Sequence, residues 1–378
     1  MRIVRIIFTF AFSIRSNKLT ILVISTIIYL SIVSYLIWGI IKSPRIYDGK
    51  QTPFVSIVIA TRDSQETIQT CLNACLRQDY DKNQFECIVV DDGSKDKTIE
   101  ILALASKQYH NLTFITKQYS LGWKSSKKEA LHLAIQQVRG ELVLYTDSDC
   151  TPPPSWLRTI VKAYNYSTGA IAGFSYQVST NSTLNRFLHL DSMATALVSA
   201  ASIAHNHPVT ACGRNIAITE NALNKIKGYT LLPDTLSGDD DFILQTIAVG
   251  TNLQLKYQFE PKSHMPAQGP ASWRLFFKQK SRHLSAGKQY KNKTQIVYLF
   301  YHTTNLILWG GAIIGIAVNK AIVLFLILKW IADYTALKKI SNRLDKPLKL
   351  YDFFLWNFIY PLYHLICAPK AFFYKTEW

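Results

Sequence analysis

The rhythm of apolar and polar positions changes twice along the chain. Residues 19–41 carry no charged side chain, and neither do residues 296–318. At helical rise each run is long enough to cross a bilayer. Between them, short apolar, β-branched runs alternate with stretches of helical period. FVSIVIA (54–60), ECIVVDD (86–92), LTFIT (112–116) and ELVLYT (141–146) read as strands; residues 64–76, a segment after Asp96 and residues 127–138 read as helices. Such alternation predicts βαβ units, hence an α/β domain with a mainly parallel sheet. In such sheets ligands bind beyond the carboxyl ends of the strands.

The expected organisation is an N-terminal membrane anchor and linker over 1–51, the α/β domain over 52–290, and a C-terminal membrane hairpin with an interfacial segment over 291–378. The run at 321–336 is weaker, because Lys329 and Asp333 interrupt it. Residues 353–368 hold Pro361 and His364 and either cross the membrane or lie in its interface. Residues 3–14 are expected at the membrane surface, and Asn319–Lys320 as the tight turn of the hairpin. Lys288, Lys291 and Lys293 precede the second span, and Lys338, Lys339, Arg343, Lys346 and Lys349 follow the third. By the positive-inside rule these flanks put the central domain in the cytoplasm, as for a multi-pass protein of a bacterial inner membrane. Arg2, Arg5, Arg15 and Lys18 before the first span argue in part the other way.

Charge narrows the partners. Forty-two Lys and Arg against 25 Asp and Glu leave a formal net charge of +17, which suits nucleic acid or anionic lipid. The lysines are scattered and no zinc-finger or RNA-binding signature occurs, so nucleic acid is set aside as a partner. The six cysteines form no CxxC pair. Cys71 and Cys75 sit four apart, as core residues of one helix do, and no disulfide framework is expected.

The acids carry the candidate chemistry. Strand 141–146 runs into Asp147 and Asp149. In an extended segment these two face one side, with Ser148 turned away. Their repulsion calls for a counter-charge, and a hard divalent cation, Mg²⁺ or Mn²⁺, supplies it while sharing phosphate oxygens with a ligand. Alone, the pair would read as two solvated loop aspartates. DDGS (91–94) ends the second strand and is either a simple turn or a pair of acceptors, Asp91 and Asp92, for a base or ribose. SGDDDFIL (237–244) places Asp239, Asp240 and Asp241 at a helix start. One such acid favours the helix dipole; three in a row raise a pKa by repulsion, which suits a general base. FKQKSRHL (277–284) reads either as a basic amphipathic surface helix or as a site segment.

Together, in this order, these stretches resemble the family 2 glycosyltransferases of the GT-A fold, over residues 52–290. VVDDGSKDKT resembles the family's nucleotide-binding turn, which implies that Asp91, beside Asp92, contacts the uracil of a donor. YTDSDC is similar to the DxD motif that holds metal and diphosphate, here Asp147 and Asp149. GDDD resembles the (E/D)D motif, implying Asp240 as catalytic base behind Asp239. QKSRH is similar to QxxRW, with Gln279 and Arg282 matching and His283 in place of the tryptophan. GWKSSKKEAL resembles a glycine–lysine segment that brings Lys127 or Lys128 near the phosphates, with Ser126 departing from the pattern. GRN (213–215) resembles a segment lining the acceptor side.

The resemblance implies a metal-dependent, inverting, membrane-bound transferase. It would move a sugar from a nucleotide-sugar donor, a UDP-sugar by this reading, to a lipid-linked or glycan acceptor. Two other readings of the same residues stand beside it: a processive polysaccharide synthase, which His283 and the few spans disfavour, and a membrane-anchored nucleotide-sugar-binding protein without turnover.

Overall fold

The computed structural model describes residues 2–315 and 320–373. Helix α1 (Arg2–Lys42) leads into β1 (Val55–Thr61), α2 (Ile68–Leu76), β2 (Phe85–Asp91), α3 (Thr98–Gln108), β3 (Leu112–Thr116), α4 (Ser126–Ile135) and β4 (Leu142–Asp147). Then come α5 (Trp156–Val161), β5 (Thr168–Gly173), β6 (Ser175–Val178), α6 (Ser182–Ala204), β7 (Ile216–Thr219), α7 (Glu220–Lys225) and α8 (Asp239–Gly250). β8 (Gln254–Gln258), β9 (Met265–Gln268), α9 (Trp273–Ser285), α10 (Asn292–Gly315), α11 (Val323–Leu344) and α12 (Leu350–Phe373) complete the order.

Seven strands form one sheet in the order β3-β2-β1-β4-β7-β5-β8. The pairs β1–β2, β1–β4, β2–β3 and β5–β8 are parallel, whereas β7 runs antiparallel to β4 and β5. The sheet is therefore mainly parallel, as the alternating pattern predicts. Its central strands are mainly apolar because both faces are covered. Ile57 and Ile59 of β1 join Leu72 and Trp156 in one core, and Val58 joins Val90 and Val143 in the other. Cys71 and Cys75 are buried in the first, as their spacing predicts. β6 and β9 make a separate parallel pair.

Two described helices are long and apolar enough to cross a membrane, Leu19–Lys42 and Ser182–Ala204. The second is 67% buried within the fold and serves as a core helix between the sheet domain and the flanking helices. α1 packs on α6, α10 and α11. Gly39 permits the α1–α6 approach, since a Cβ there would lie 2.7 Å from the Ala201 backbone. Tyr29 Oη donates to Asp333 at 2.6 Å, and Lys329 Nζ donates to Asp333 at 2.6 Å and to Asn357 at 2.8 Å, all of them buried. The charges that interrupt the third apolar run are thus paired inside the helix assembly.

Three details bear on the expected membrane segments. Residues 3–14 are not a separate surface segment but continue into α1 without a break. The run at 353–368 lies within a 24-residue helix, α12, that keeps Pro361 and Pro369 inside it. Asn319 of the expected tight turn, and the end of the run at 296–318, fall outside the described residues.

Candidate active site

β4 ends at Asp147, and the chain then turns instead of staying extended: the Cys150 N–H donates to the Asp147 carbonyl at 3.1 Å. Ser148 points away and its hydroxyl bonds that of Ser64 at 2.9 Å. The turn is pinned to β9 by the Cys150–Ala267 bridge and by the Gln268 N–H, which donates to the Asp149 carbonyl at 3.3 Å. Asp147 and Asp149 converge through this turn and not through strand alternation.

Ser125 caps α4 by accepting from the Lys128 N–H at 3.1 Å. The next turn sends the two lysines in different directions. Lys127 hydrogen-bonds Asp147 and faces the site. Lys128 is buried behind it, donating to the Pro233 carbonyl at 2.9 Å beneath the Trp123 ring. The expectation that Lys128 sits near the phosphates is therefore corrected: it supports the loop before α8.

Gly238 adopts φ +92, a conformation that strains other residues, and turns the chain into α8 with Asp239, Asp240 and Asp241 in its first turn. Asp240 Oδ2 accepts from the Gly213 N–H at 2.7 Å. Asp239 Oδ1 is buried without a partner. Asp241 turns inward, accepting from the Ala211 N–H at 2.9 Å and from the Tyr290 hydroxyl.

Asp147, Asp149, Lys127, Asp239, Asp240, Gln279 and Arg282 all line one cavity of about 2110 Å³. Asp91 and Asp92 do not. Asp91 accepts from the Gly93 and Ser94 N–H groups at 3.1 and 3.2 Å, and Asp92 is held by Lys117 and the Ser126 hydroxyl. DDGS thus forms a self-bonded turn whose carboxylates have local partners.

Electrostatics divides the acids. Burial raises the Asp147 carboxyl, but Lys127 and Arg214 outweigh it and hold the group below its ordinary range. Asp149 is raised by burial and by the Asp147 charge. Burial first, then the Asp240 charge, raise Asp239 to about 6 and Asp241 to about 8. Asp240 is also raised by burial, against the pull of Lys127 and the Gly213 N–H. Repulsion in the DDD run therefore acts as expected, with desolvation the larger cause.

Arg214 is a site residue to which sequence reasoning gave no role of its own. Its segment GRN also holds Asp240 through the Gly213 N–H, while the Arg214 charge acts on both Asp147 and Asp149 and its Nε donates to Ser175 at 3.1 Å. An isolated arginine in a loop carries no sequence signal for this. Asn215 is structural, accepting from Trp156 Nε1 at 2.8 Å. Gln279 Oε1 is buried without a partner at the cavity wall. Among the described residues no three of His, Cys, Asp and Glu gather as a metal cluster. Asp147 and Asp149 alone supply hard oxygen ligands, a set that fits a Mg²⁺ or Mn²⁺ ion completed by phosphate and water.

Comparison with known proteins bears on the domain and its fold. Residues 56–225 match the family model Glycosyl transferase family 2. Glycosyltransferase AglE of Haloferax volcanii is 32% identical over 143 residues, 34% of this chain and 46% of its own. Probable glycosyltransferase YdaM of Bacillus subtilis is 25% identical over 246 residues, 64% of this chain and 56% of its own. The chain thus spans about half the length of these relatives. Mannosyltransferase PcManGT from Pyrobaculum calidifontis, solved in complex with GDP-Man and Mn²⁺, shares the fold with a TM-score of 0.60 at 17% identity, over 96% of this chain and 98% of its own. Over residues 56–225 the chain is thus similar to the family 2 glycosyltransferases, and it shares the fold of a solved mannosyltransferase.

Proposed function

We propose that the chain is a membrane-anchored, metal-dependent glycosyltransferase that moves a sugar from a nucleotide-sugar donor to an acceptor hydroxyl with inversion. The observation that carries this reading is one cavity lined by Asp147, Asp149 and Lys127 together with Asp239 and Asp240. A Mg²⁺ or Mn²⁺ ion bound by Asp147 and Asp149 would supply charge neutralisation for the departing diphosphate. Lys127, Arg214 and Arg282 place fixed positive charge on the same side, where it favours the leaving group. Asp240 accepts the proton of the acceptor hydroxyl as that oxygen bonds to the anomeric carbon and the carbon–diphosphate bond breaks. One in-line displacement inverts the carbon. Asp91 and Asp92 contribute by fixing the turn at the end of β2.

Helix α1 is the anchor. α10 and α11 pack against it and complete a multi-pass assembly, with the basic residues around Lys288 and Lys338 on the cytoplasmic side together with the transferase domain.

The test is a panel of nucleotide sugars, led by UDP-sugars and GDP-mannose, incubated with membranes holding the protein and Mn²⁺ and scored for released nucleoside diphosphate. Release from none of them refutes the reading. Asp149→Ala should abolish the metal-enhanced affinity for the nucleoside diphosphate, and unchanged enhancement would reject the metal assignment.

A further inference from the structure

The cavity is larger than one nucleotide sugar requires. Small-molecule sites commonly enclose about 300–1,000 Å³, and this one encloses about 2110 Å³. The part away from Asp147 runs between α6 and the flanking helices, with Ser192, Thr195 and Ser199 on one side and Tyr35 of α1 and Leu299 of α10 on the other. The three hydroxyl residues recur at spacings of three and four and so share a face of α6. Ser199 is 3% exposed, and its Oγ is buried at the cavity wall without a partner.

Rings close the same compartment. Tyr298 stacks on His302 with centroids 5.9 Å apart, and His302 stacks on His364 at 4.2 Å. Next to them Lys280 Nζ lies 2.5 Å from Asp191 Oδ2, so that pair offers no free charge.

We propose that this compartment is the acceptor site, and that the acceptor is a membrane lipid with a neutral, sugar-like head. The inference rests on the reading of Asp240 as the proton acceptor and adds the substrate class. A lipid follows from the walls, because Tyr35 and Leu299 belong to helices of the membrane-side assembly and both are substantially exposed. A sugar head follows from the lining. A pyranose presents a flat face of C–H groups that packs on aromatic rings, and its rim of hydroxyls meets an unpartnered Ser199 Oγ on one side and Gln279 Oε1 on the other. A phosphate head fits poorly. Lys280 is already neutralised by Asp191, and although Lys291 and Lys293 also line the cavity, the carboxylates of Asp239 and Asp240 stand where the attacking atom must arrive. A phosphate oxygen, moreover, is ionised at neutral pH and needs no base, whereas an alcohol does. In the step itself, the head-group O–H gives its proton to Asp240, its oxygen bonds to the anomeric carbon, and the nucleoside diphosphate leaves with the electron pair of the broken bond.

The experiment uses the full chain in lipid nanodiscs, with tritiated decyl glucoside and decyl phosphate as probes and nucleoside diphosphate with Mn²⁺ as the control. Decyl glucoside should bind saturably and decyl phosphate much more weakly. Ser199→Trp, which fills the compartment, and Tyr298→Ala, which removes a ring, should each weaken decyl glucoside by tenfold or more. Both should leave nucleoside diphosphate affinity within twofold, which also shows that each variant is folded; if one fails that control the other decides. Equal binding of decyl phosphate, decyl glucoside binding indifferent to the substitutions, or no saturable binding by protein that binds nucleoside diphosphate normally would overturn the acceptor assignment. Failure of the nucleoside diphosphate control in the wild-type chain would instead strike the transferase reading.

Discussion

Replacing Asp240 with asparagine separates proton transfer from donor binding. The side chain keeps its shape, and its amide oxygen can still accept from the Gly213 N–H, now 2.7 Å from Oδ2. What is lost locally is the weaker contact in which the Asp241 N–H donates to Oδ1 at 3.2 Å, about 0.5–1.5 kcal/mol for an ordinary hydrogen bond. Against that loss, the Asp240 charge is among the causes that raise both Asp239 and Asp241, and removing it relieves both. Stability should therefore change little. Catalysis should change greatly, because a positioned general base contributes about 10²–10⁴-fold, or about 3–5 kcal/mol of barrier. Nucleoside diphosphate affinity should hold or tighten slightly, since Asp240 competes for the charge of Lys127. Calorimetric titration with Mn²⁺ and the rate of nucleoside diphosphate release are measured on one preparation. Transfer surviving within a few-fold would remove Asp240 from the role of base and turn attention to Asp239. Collapse of nucleoside diphosphate binding would show that the acid cluster organises the donor end.

Three further outcomes are expected. Asp241 is held near 8 in the fold against about 3.9 in an unfolded chain, so the folded state binds the extra proton and stability falls as pH rises through that window; Asp241→Asn should flatten this slope in thermal melts between pH 5 and 8, and an unchanged slope would contradict the assignment. Lys127→Ala should weaken nucleoside diphosphate binding with little change in melting temperature, whereas Lys128→Ala should lower the melting temperature through loss of its contacts to Pro233 and Trp123; the reverse pattern would invert their places. A cysteine at the exposed Lys288 should resist a membrane-impermeant thiol reagent applied to intact cells, and efficient labelling would put the transferase domain on the outer side.

The first half of the sheet was legible because its strands are short β-branched runs covered on both faces. LTFIT coincides with β3, and the runs beginning at 54, 86 and 141 each lie one residue from β1, β2 and β4. Strands such as SYQV and MPAQ carry no such signal, and the antiparallel insertion of β7 is set by tertiary pairing. α6 escaped notice because buried faces all round it blur the helical period. In the site, carboxylates at a strand end and a helix start announced themselves. Arg214 did not, since only folding brings it to Asp147. Nor could the sequence choose between Lys127 and Lys128, because neighbours on a helix point about 100° apart and the choice is made by what packs behind them.

The buried contact between Tyr29 and Asp333 joins positions 304 residues apart. A ribosome therefore releases the first helix long before its partner exists, and the whole transferase domain is made in the interval. Until α11 arrives, α1 lacks the carboxylate that its tyrosine addresses; until α1 and α12 receive it, α11 carries Lys329 and Asp333 with only each other for company. The hydroxyl of Tyr29 and the amide of Asn357 thus make synthesis of α11 and α12 a condition for closing this contact. An unrelated apolar helix fused in place of α1 would arrive without the group that recognises a segment made so much later.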